Sequence, residues 1–422
     1  MTNFASLGVS PFLVQSLERM RISIPTPIQV GAIPPALEGH DILASAQTGT
    51  GKTIAYLMPL ITHLQAHPQS GALVLCPTRE LAAQVRDATQ QLFDRKTPFD
   101  IALLIGGDPI AKQFAALRRR PQLIVGTPGR ILDHIDRRTL RLQETGFLVL
   151  DEADRMLDMG FSQPLEEIVH ELRKERQTLM FSATMPPSIM KLSQKYLTNP
   201  KQVSVGSSTQ AAPQIKQETL QTKTADKFPS LLNALNTREG TVIVFVRTKF
   251  GAAQLAEKLR RQDHQADAIH GDLRQRQRDQ VLKSFRNLES RILVATDVAS
   301  RGLDIPHVKH VINYDLPECP EDYIHRIGRT GRAGMEGNAL SFVSPEEGGK
   351  WRLIHKLMHP NAPQPDMGGS RDRPGQSRRR HNYNQNASRK PGSYKPQRKS
   401  PPRTESGSGS APASRSRRFT AR

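Results

Sequence analysis

Two short stretches of this 422-residue chain carry the residue types that grip phosphates and attack them. The first, Ala46-Gln47-Thr48-Gly49-Thr50-Gly51-Lys52-Thr53, follows the apolar run DILAS and precedes a helical pattern. Its glycines let the backbone curl so that successive N–H groups face inward, onto the positive end of the next helix. Lys52 then reaches the β- and γ-phosphates of a nucleotide, and the Thr53 hydroxyl ligates Mg²⁺. Ala46 stands where the strict pattern opens with glycine, but the strand-loop-helix context is the required one. A phosphate loop also needs a second strand that ends in an acid. Phe147-Leu148-Val149-Leu150 ends in Asp151-Glu152, which suits Asp151 to Mg²⁺ through water and Glu152 to polarising the attacking water.

Buried parallel strands must carry such loops. Near-continuous apolar runs alternate with helical patterns throughout: DILAS, ALVLCP, IALLIG, QLIVGTP, FLVLDE and TLMFSAT, then TVIVFV, ADAIHG, RILVATD, HVINYD and ALSFVS. That rhythm predicts two α/β domains with parallel sheets covered on both faces. The polar stretch GSSTQAAPQ reads as their linker. Residues 1–30 form an N-terminal segment, 31–205 the first domain, 206–218 the linker, 219–360 the second domain and 361–422 a tail. The tail has no Val, Ile or Leu, and 24 of its 62 residues are Pro, Gly or Ser, so it cannot offset its own ordering entropy and reads as a disordered basic arm. It holds +12 of the net +20, leaving +8 on the rest. The excess of positive charge points to a nucleic acid. Runs such as Val242-Ile243-Val244-Phe245-Val246 fall short of the ~18–20 residues that span a bilayer. No signal-peptide pattern opens the chain. Cys76 and Cys319 read as reduced packing residues. A membrane protein, a disulfide scaffold and a secreted enzyme are disfavoured, and a cytoplasmic setting is expected.

Asp151-Glu152-Ala153-Asp154 resembles the signature of the DEAD-box ATP-dependent RNA helicases of superfamily 2, and the likeness extends over roughly residues 3–345. The family's two domains are RecA-like. Pro25-Thr26-Pro27-Ile28-Gln29 is similar to the Q motif, which implies that Gln29 reads the adenine edge. Arg21-Ile22 stands where the family has Gly-Phe, so Ile22 covers the base without π stacking and adenine selectivity is expected to be weaker. The resemblance assigns Ala46 to Thr53 and Asp304 to ATP. It assigns Thr78, Arg79, Gly107, Thr127, Arg130, Gly271 and Thr296 to the RNA backbone, where loops and helix N-termini present N–H groups, hydroxyls and guanidiniums. Ser182, Thr184, Arg301 and His325 are implied to couple the domains. Gln275-x-x-Arg278 and His325-Arg326-Ile327-Gly328-Arg329-Thr330-Gly331-Arg332 complete the set. The first half has a lysine, a metal site and a base but no clear arginine for the transition state. Arg329 and Arg332 can supply that finger, an effect of roughly 10³–10⁵ in rate.

The expected activity is local unwinding of short RNA duplexes coupled to ATP hydrolysis, with Mg²⁺ as cofactor and RNA bound largely without sequence preference. Two other readings stay open on the residues alone: a DNA helicase or translocase of the same superfamily, and a non-catalytic RNA clamp. The short N-terminal flank and lack of large insertions suit a compact bacterial member, in ribosome assembly or RNA turnover, with ribosomal particles or decay machinery as partners.

Overall fold

Thirteen strands build two sheets in the computed structural model, which describes residues 2–46, 49–93, 98–205, 215–300, 305, 307–331 and 336–359. The first sheet comprises β1 (Ile42–Ser45), β2 (Gly71–Leu75), β3 (Ile101–Leu104), β4 (Leu123–Gly126), β5 (Thr145–Leu150), β6 (Gln177–Ser182) and β7 (Lys201–Ser204), in the order β3-β4-β2-β5-β6-β1-β7. The second comprises β8 (Ile215–Gln221), β9 (Thr241–Phe245), β10 (Ala266–Ile269), β11 (Ile292–Ala295), β12 (Val308–Asn313) and β13 (Gly337–Val343), in the order β10-β11-β9-β12-β13-β8. Every pairing is parallel. The expected pair of parallel α/β domains is therefore present.

The apolar runs are continuous because both faces of each sheet are covered. Along β2, Ala72 and Val74 enter one core while Leu73 and Leu75 enter the other, the period-2 alternation of a pleated strand. In the second domain Val242 and Val244 face one cluster and Ile243 and Phe245 the opposite one. Parallel strands also share a carboxyl edge. The loops after β1, β2, β3, β4, β5 and β6 all leave from the same side of the first sheet, where α/β folds place their ligands.

Two expectations about boundaries change. Residues 1–30 are not a separate segment: Phe4, Leu13, Leu17 and Ile28 belong to the core that holds Ile42 and Val74. The helix Pro27–Leu37 runs across residue 30 and lies so close to β7 that a Cβ on Gly31 would meet Val203 Cγ1 at 2.6 Å. The linker also ends earlier than residue 218, because Ile215–Gln221 pairs with Gly337–Val343. Strands β7 and β8 were both missed, and both are polar edge strands with mostly exposed side chains. Residues 206–214 and the expected disordered tail at 361–422 lie outside the described residues.

At the amino end of β5, on the edge opposite the motif loops, His63 Nε2 lies 3.0 Å from Ser70 Oγ and its ring stacks on His67. Burial, followed by the His67 and Arg173 charges, pushes this imidazole down to about 4. A depressed histidine stabilises the fold fully above its unfolded value near 6.5 and loses that contribution as pH falls toward 4, because the unfolded chain takes the proton first. The loss should be on the order of 1 kcal/mol once screening at this half-buried site is discounted. Urea unfolding of wild type and His63→Gln between pH 7 and 4 should show a shallower acid slope in the variant; equal slopes would contradict the assignment.

Candidate active site and nucleic-acid interface

The phosphate loop leaves β1 through Ala46, whose N–H donates to the Ser182 carbonyl of β6 at 3.0 Å. Gly49 and Gly51 have φ of 86° and 90°, left-handed values that a side chain would strain. Gly51 caps the helix Lys52–Ala66. Lys52 is buried and folds back so that Nζ donates to the Ala46 carbonyl at 2.9 Å. The Q-motif segment braces the loop from outside: Thr26 Oγ1 donates to the Thr50 carbonyl at 2.7 Å, and Gln29 Nε2 to the Gly51 carbonyl at 3.0 Å. Gln29 Oε1 accepts the Thr26 amide at 2.9 Å, closing a capping box. Each end of the Gln29 amide retains one further hydrogen or lone pair, and its in-chain bonds tie this segment to the phosphate loop. Arg21 has φ 60°. It holds a left-handed conformation where the family keeps glycine, so the turn survives the substitution at a steric cost. Ile22, half-buried after it, packs on the core of the first sheet.

Asp151 and Glu152 sit at the end of β5, each 2% exposed. Asp151 Oδ2 accepts the Tyr56 hydroxyl at 3.0 Å, while Oδ1 is buried with no hydrogen-bond partner among the described residues. Burial raises the Asp151 carboxyl to about 6, opposed by Lys52 and reinforced by the Glu152 charge. Glu152 has φ 52° and ψ 52°, a strained conformation of the sort that clusters at functional sites, and Arg155 Nη1 pairs with its Oε2 at 3.3 Å. Arg155 is itself 1% exposed. Asp154 Oδ2 accepts the Ala183 amide, the Thr184 amide and the Thr184 hydroxyl at 3.1, 2.8 and 2.9 Å. Ser182 Oγ donates to the Thr184 carbonyl at 2.6 Å. Of the expected coupling residues, Thr184 is bonded directly to the acidic string and Ser182 to Thr184.

A cleft of about 520 Å³ lies between the two sheets and draws its walls from both. Thr78 caps the helix Arg79–Leu92 by accepting the Leu81 amide. Arg79 lies against Gly106 and Gly107, where any Cβ would fall 2.5–3.0 Å from its guanidinium, and Nη1 donates to Gln275 Oε1 at 3.3 Å. Thr127 caps the helix Pro128–Asp136, and Arg130 Nη1 donates to the Asp108 carbonyl at 3.4 Å. Gly271 and Leu273 line the opposite wall. Thr296 follows β11, with its N–H donating to the Ile269 carbonyl at 3.4 Å. Burial lowers the Arg79 guanidinium, Glu80 opposes that, and Arg278 and Arg130 push it further down. Three guanidiniums thus converge on the cleft, two of them paired, Arg278 with Glu80 at 2.7 Å and Arg130 with Asp133 at 3.5 Å; such forks are the donors that grip phosphate.

One contact escaped the sequence reading. Glu80 Oε1 accepts Arg278 Nε at 2.7 Å, both side chains being less than a tenth exposed. Arg278 also donates to the His270 and Ala299 carbonyls, each at 3.2 Å. Glu80 lies in the first domain and Arg278 in the second. Both stood in recognised motifs, but nothing in spacing joins residues 198 positions apart. Arg329 follows the helix Pro320–Ile327, 3% exposed, with Nε donating to the His325 carbonyl at 3.2 Å. Gln47, Thr48, Arg301, Asp304 and Arg332 lie outside the described residues. A second, apolar hollow of about 760 Å³ lies beside Ile24, Val30 and Val203, away from this chemistry.

Residues 26–192 match the DEAD/DEAH box helicase family and 224–334 the helicase conserved C-terminal domain. The chain is 46% identical over 358 residues to the DEAD-box ATP-dependent RNA helicase CshA of Bacillus cereus, covering 84% of this chain and 68% of that relative; the Bacillus anthracis protein of the same name matches to the same extent. Among solved structures, Saccharomyces cerevisiae Dbp5 bound to RNA and ADP BeF3 superposes with a TM-score of 0.78 at 34% identity, over 85% of this chain and 94% of that one. Mss116p bound to single-stranded RNA and AMP-PNP gives 0.77 at 29%, over 84% and 77%. A DEAD box protein from Methanococcus jannaschii gives 0.51 at 40%, over 85% and 97%.

The buried pair across the cleft yields a test. Removing either partner strands the other charge in a dry site, a cost that removing both avoids. A double-mutant cycle of Glu80→Ala and Arg278→Ala, read as RNA affinity with a nonhydrolysable ATP analogue, should give a coupling of at least about 1.5 kcal/mol. Additive effects would show that the contact does not operate in the RNA-bound protein.

Proposed function

The chain belongs to the DEAD-box family of ATP-dependent RNA helicases, and from that premise we propose how its own residues do this work. The observation that carries the proposal is the cleft built from both sheets and latched by Glu80 and Arg278. RNA backbone lies along Thr78, Arg79, Gly107, Thr127 and Arg130 on one wall and along Gly271 and Thr296 on the other. Neither sheet alone makes the full site, so RNA favours the closed arrangement. ATP favours it too, because the phosphate loop and the arginines belong to different domains. Each ligand then raises the other's affinity by linkage. Superposition on relatives bound to RNA and an ATP analogue, at TM-scores of 0.78 and 0.77, supports a closed disposition here.

In the closed state Lys52 turns from the Ala46 carbonyl to the β- and γ-phosphates, and Ile22 and Gln29 hold the base. Glu152 takes the proton of the water that attacks the γ-phosphorus as the bond to the ADP oxygen breaks. Arg329 and Arg332 meet the charge on the transferring oxygens, and Arg155 keeps Glu152 oriented. Thr53 and Asp151 would hold Mg²⁺. The orphaned, buried Asp151 Oδ1 fits a hard cation, and two protein donors leave most of an octahedral shell to phosphate and water. Bound there, Mg²⁺ would neutralise phosphate charge. Asp304 sits with the nucleotide, and Arg301 and His325 relay closure. We place the protein in the cytoplasm, in ribosome assembly or RNA turnover, where sequence-independent local unwinding is needed. Among the described residues no helix is long and apolar enough to cross a membrane.

Two experiments probe this reading. Glu152→Gln should retain analogue-dependent RNA binding and lose at least about 10²-fold in ATP turnover; normal turnover would remove Glu152 from the role of base. Deleting residues 361–422, with their 15 Lys+Arg, should weaken RNA binding and flatten its dependence on log[salt], since each single-strand phosphate contact contributes a slope of about 0.7. An unchanged slope would make the tail a solubilising extension.

A further inference from the structure

Tyr56 is a buried hydroxyl that the hydrolytic chemistry leaves unassigned. It sits one turn beyond Thr53 on the helix Lys52–Ala66, so both side chains share a helix face. The residue is fully buried. Its ring meets Phe181 of β6 edge-on at 5.4 Å, and its hydroxyl donates to Asp151 Oδ2 at 3.0 Å. Thr53 lies beside Tyr56 on that face. The phenol thus holds the end of β5 and neighbours the phosphate loop, the two places that supply the side chains proposed for Mg²⁺.

A phenylalanine would fill this space without burying a polar atom, so volume alone does not account for the hydroxyl. Nor does the hydroxyl complete a closed polar network, because Asp151 Oδ1 stays buried with no hydrogen-bond partner among the described residues. One oxygen is held by the phenol, which is how outer groups aim a metal-binding carboxylate. We propose that Tyr56 is a positioning residue for the divalent cation: by holding Asp151 Oδ2 from the helix that also carries Thr53, it fixes the carboxylate's orientation and leaves Asp151 Oδ1 for the ion's shell. The inference rests on the assignment of Thr53 and Asp151 to Mg²⁺.

Tyr56→Phe in the full chain keeps the ring and removes only the hydroxyl. Binding of a fluorescent nonhydrolysable ATP analogue, titrated with Mg²⁺ and repeated in EDTA, reads the metal apart from turnover. The variant should need about tenfold more Mg²⁺ for half-maximal tightening, the lower end of what outer-shell partners cost. Its affinity in EDTA should equal wild type, and its ATPase rate should recover at high Mg²⁺. An unchanged Mg²⁺ midpoint overturns the proposal, as does an equal loss of affinity with and without Mg²⁺, which marks a purely structural role. Asp151→Asn in parallel separates the two levels. If that variant keeps the wild-type Mg²⁺ midpoint, the metal assignment itself fails; if only Tyr56→Phe keeps it, the assignment stands and the positioning role falls.

Discussion

Glu80 and Arg278 meet at 2.7 Å with almost no solvent on either side, and the cleft proposed for RNA takes its second wall from their meeting. Such a pair adds little net stability, because the desolvation of two charges roughly cancels their attraction. Its contribution is to register. Arg278 is also fixed by the His270 and Ala299 carbonyls, so Glu80 can pair with it in only one placement of the second domain. That placement sets Gln275 beside Arg79 and brings Gly271 into the cleft wall. When the domains part, both ions regain water at small cost. A contact that is specific in position and weak in net energy suits a clamp that must reopen every cycle.

The second constraint lies beneath the acidic string. Asp154 accepts three bonds from Ala183 and Thr184, which tethers the loop after β5 to the loop after β6. Glu152 is held in a left-handed conformation between them. Strain at that residue persists only because Arg155 beneath it and Asp154 beside it over-determine the turn. The loop bonded to Thr184 is thus the loop that carries Glu152, the base in the proposed mechanism. Because the chemistry is phosphoryl transfer, small displacements of such groups matter more than new covalent steps.

Much of this was legible before any coordinates. The phosphate loop, the acid-ending strand and the order of later motifs named the chemistry, and the apolar runs located every buried strand. What stayed hidden has physical causes. Strands β7 and β8 are edge strands with exposed polar side chains, so they carry no apolar signature. The resulting linker boundary was set too late. Glu80 and Arg278 pair across two domains, a relation that local pattern cannot express. Nothing in the sequence set Tyr56 apart on its helix, and its distance to Asp151 is what distinguishes it. Arg21 could be seen to replace a glycine, but its positive φ is a fact of the backbone alone.

The central claim is that ATP and RNA close the same two domains, and equilibrium binding tests it most directly. RNA affinity should be measured with and without saturating nonhydrolysable ATP analogue, and analogue affinity with and without saturating RNA. The account predicts that each ligand tightens the other by the same factor, about tenfold or more. Independent binding, with both factors near one, would contradict it.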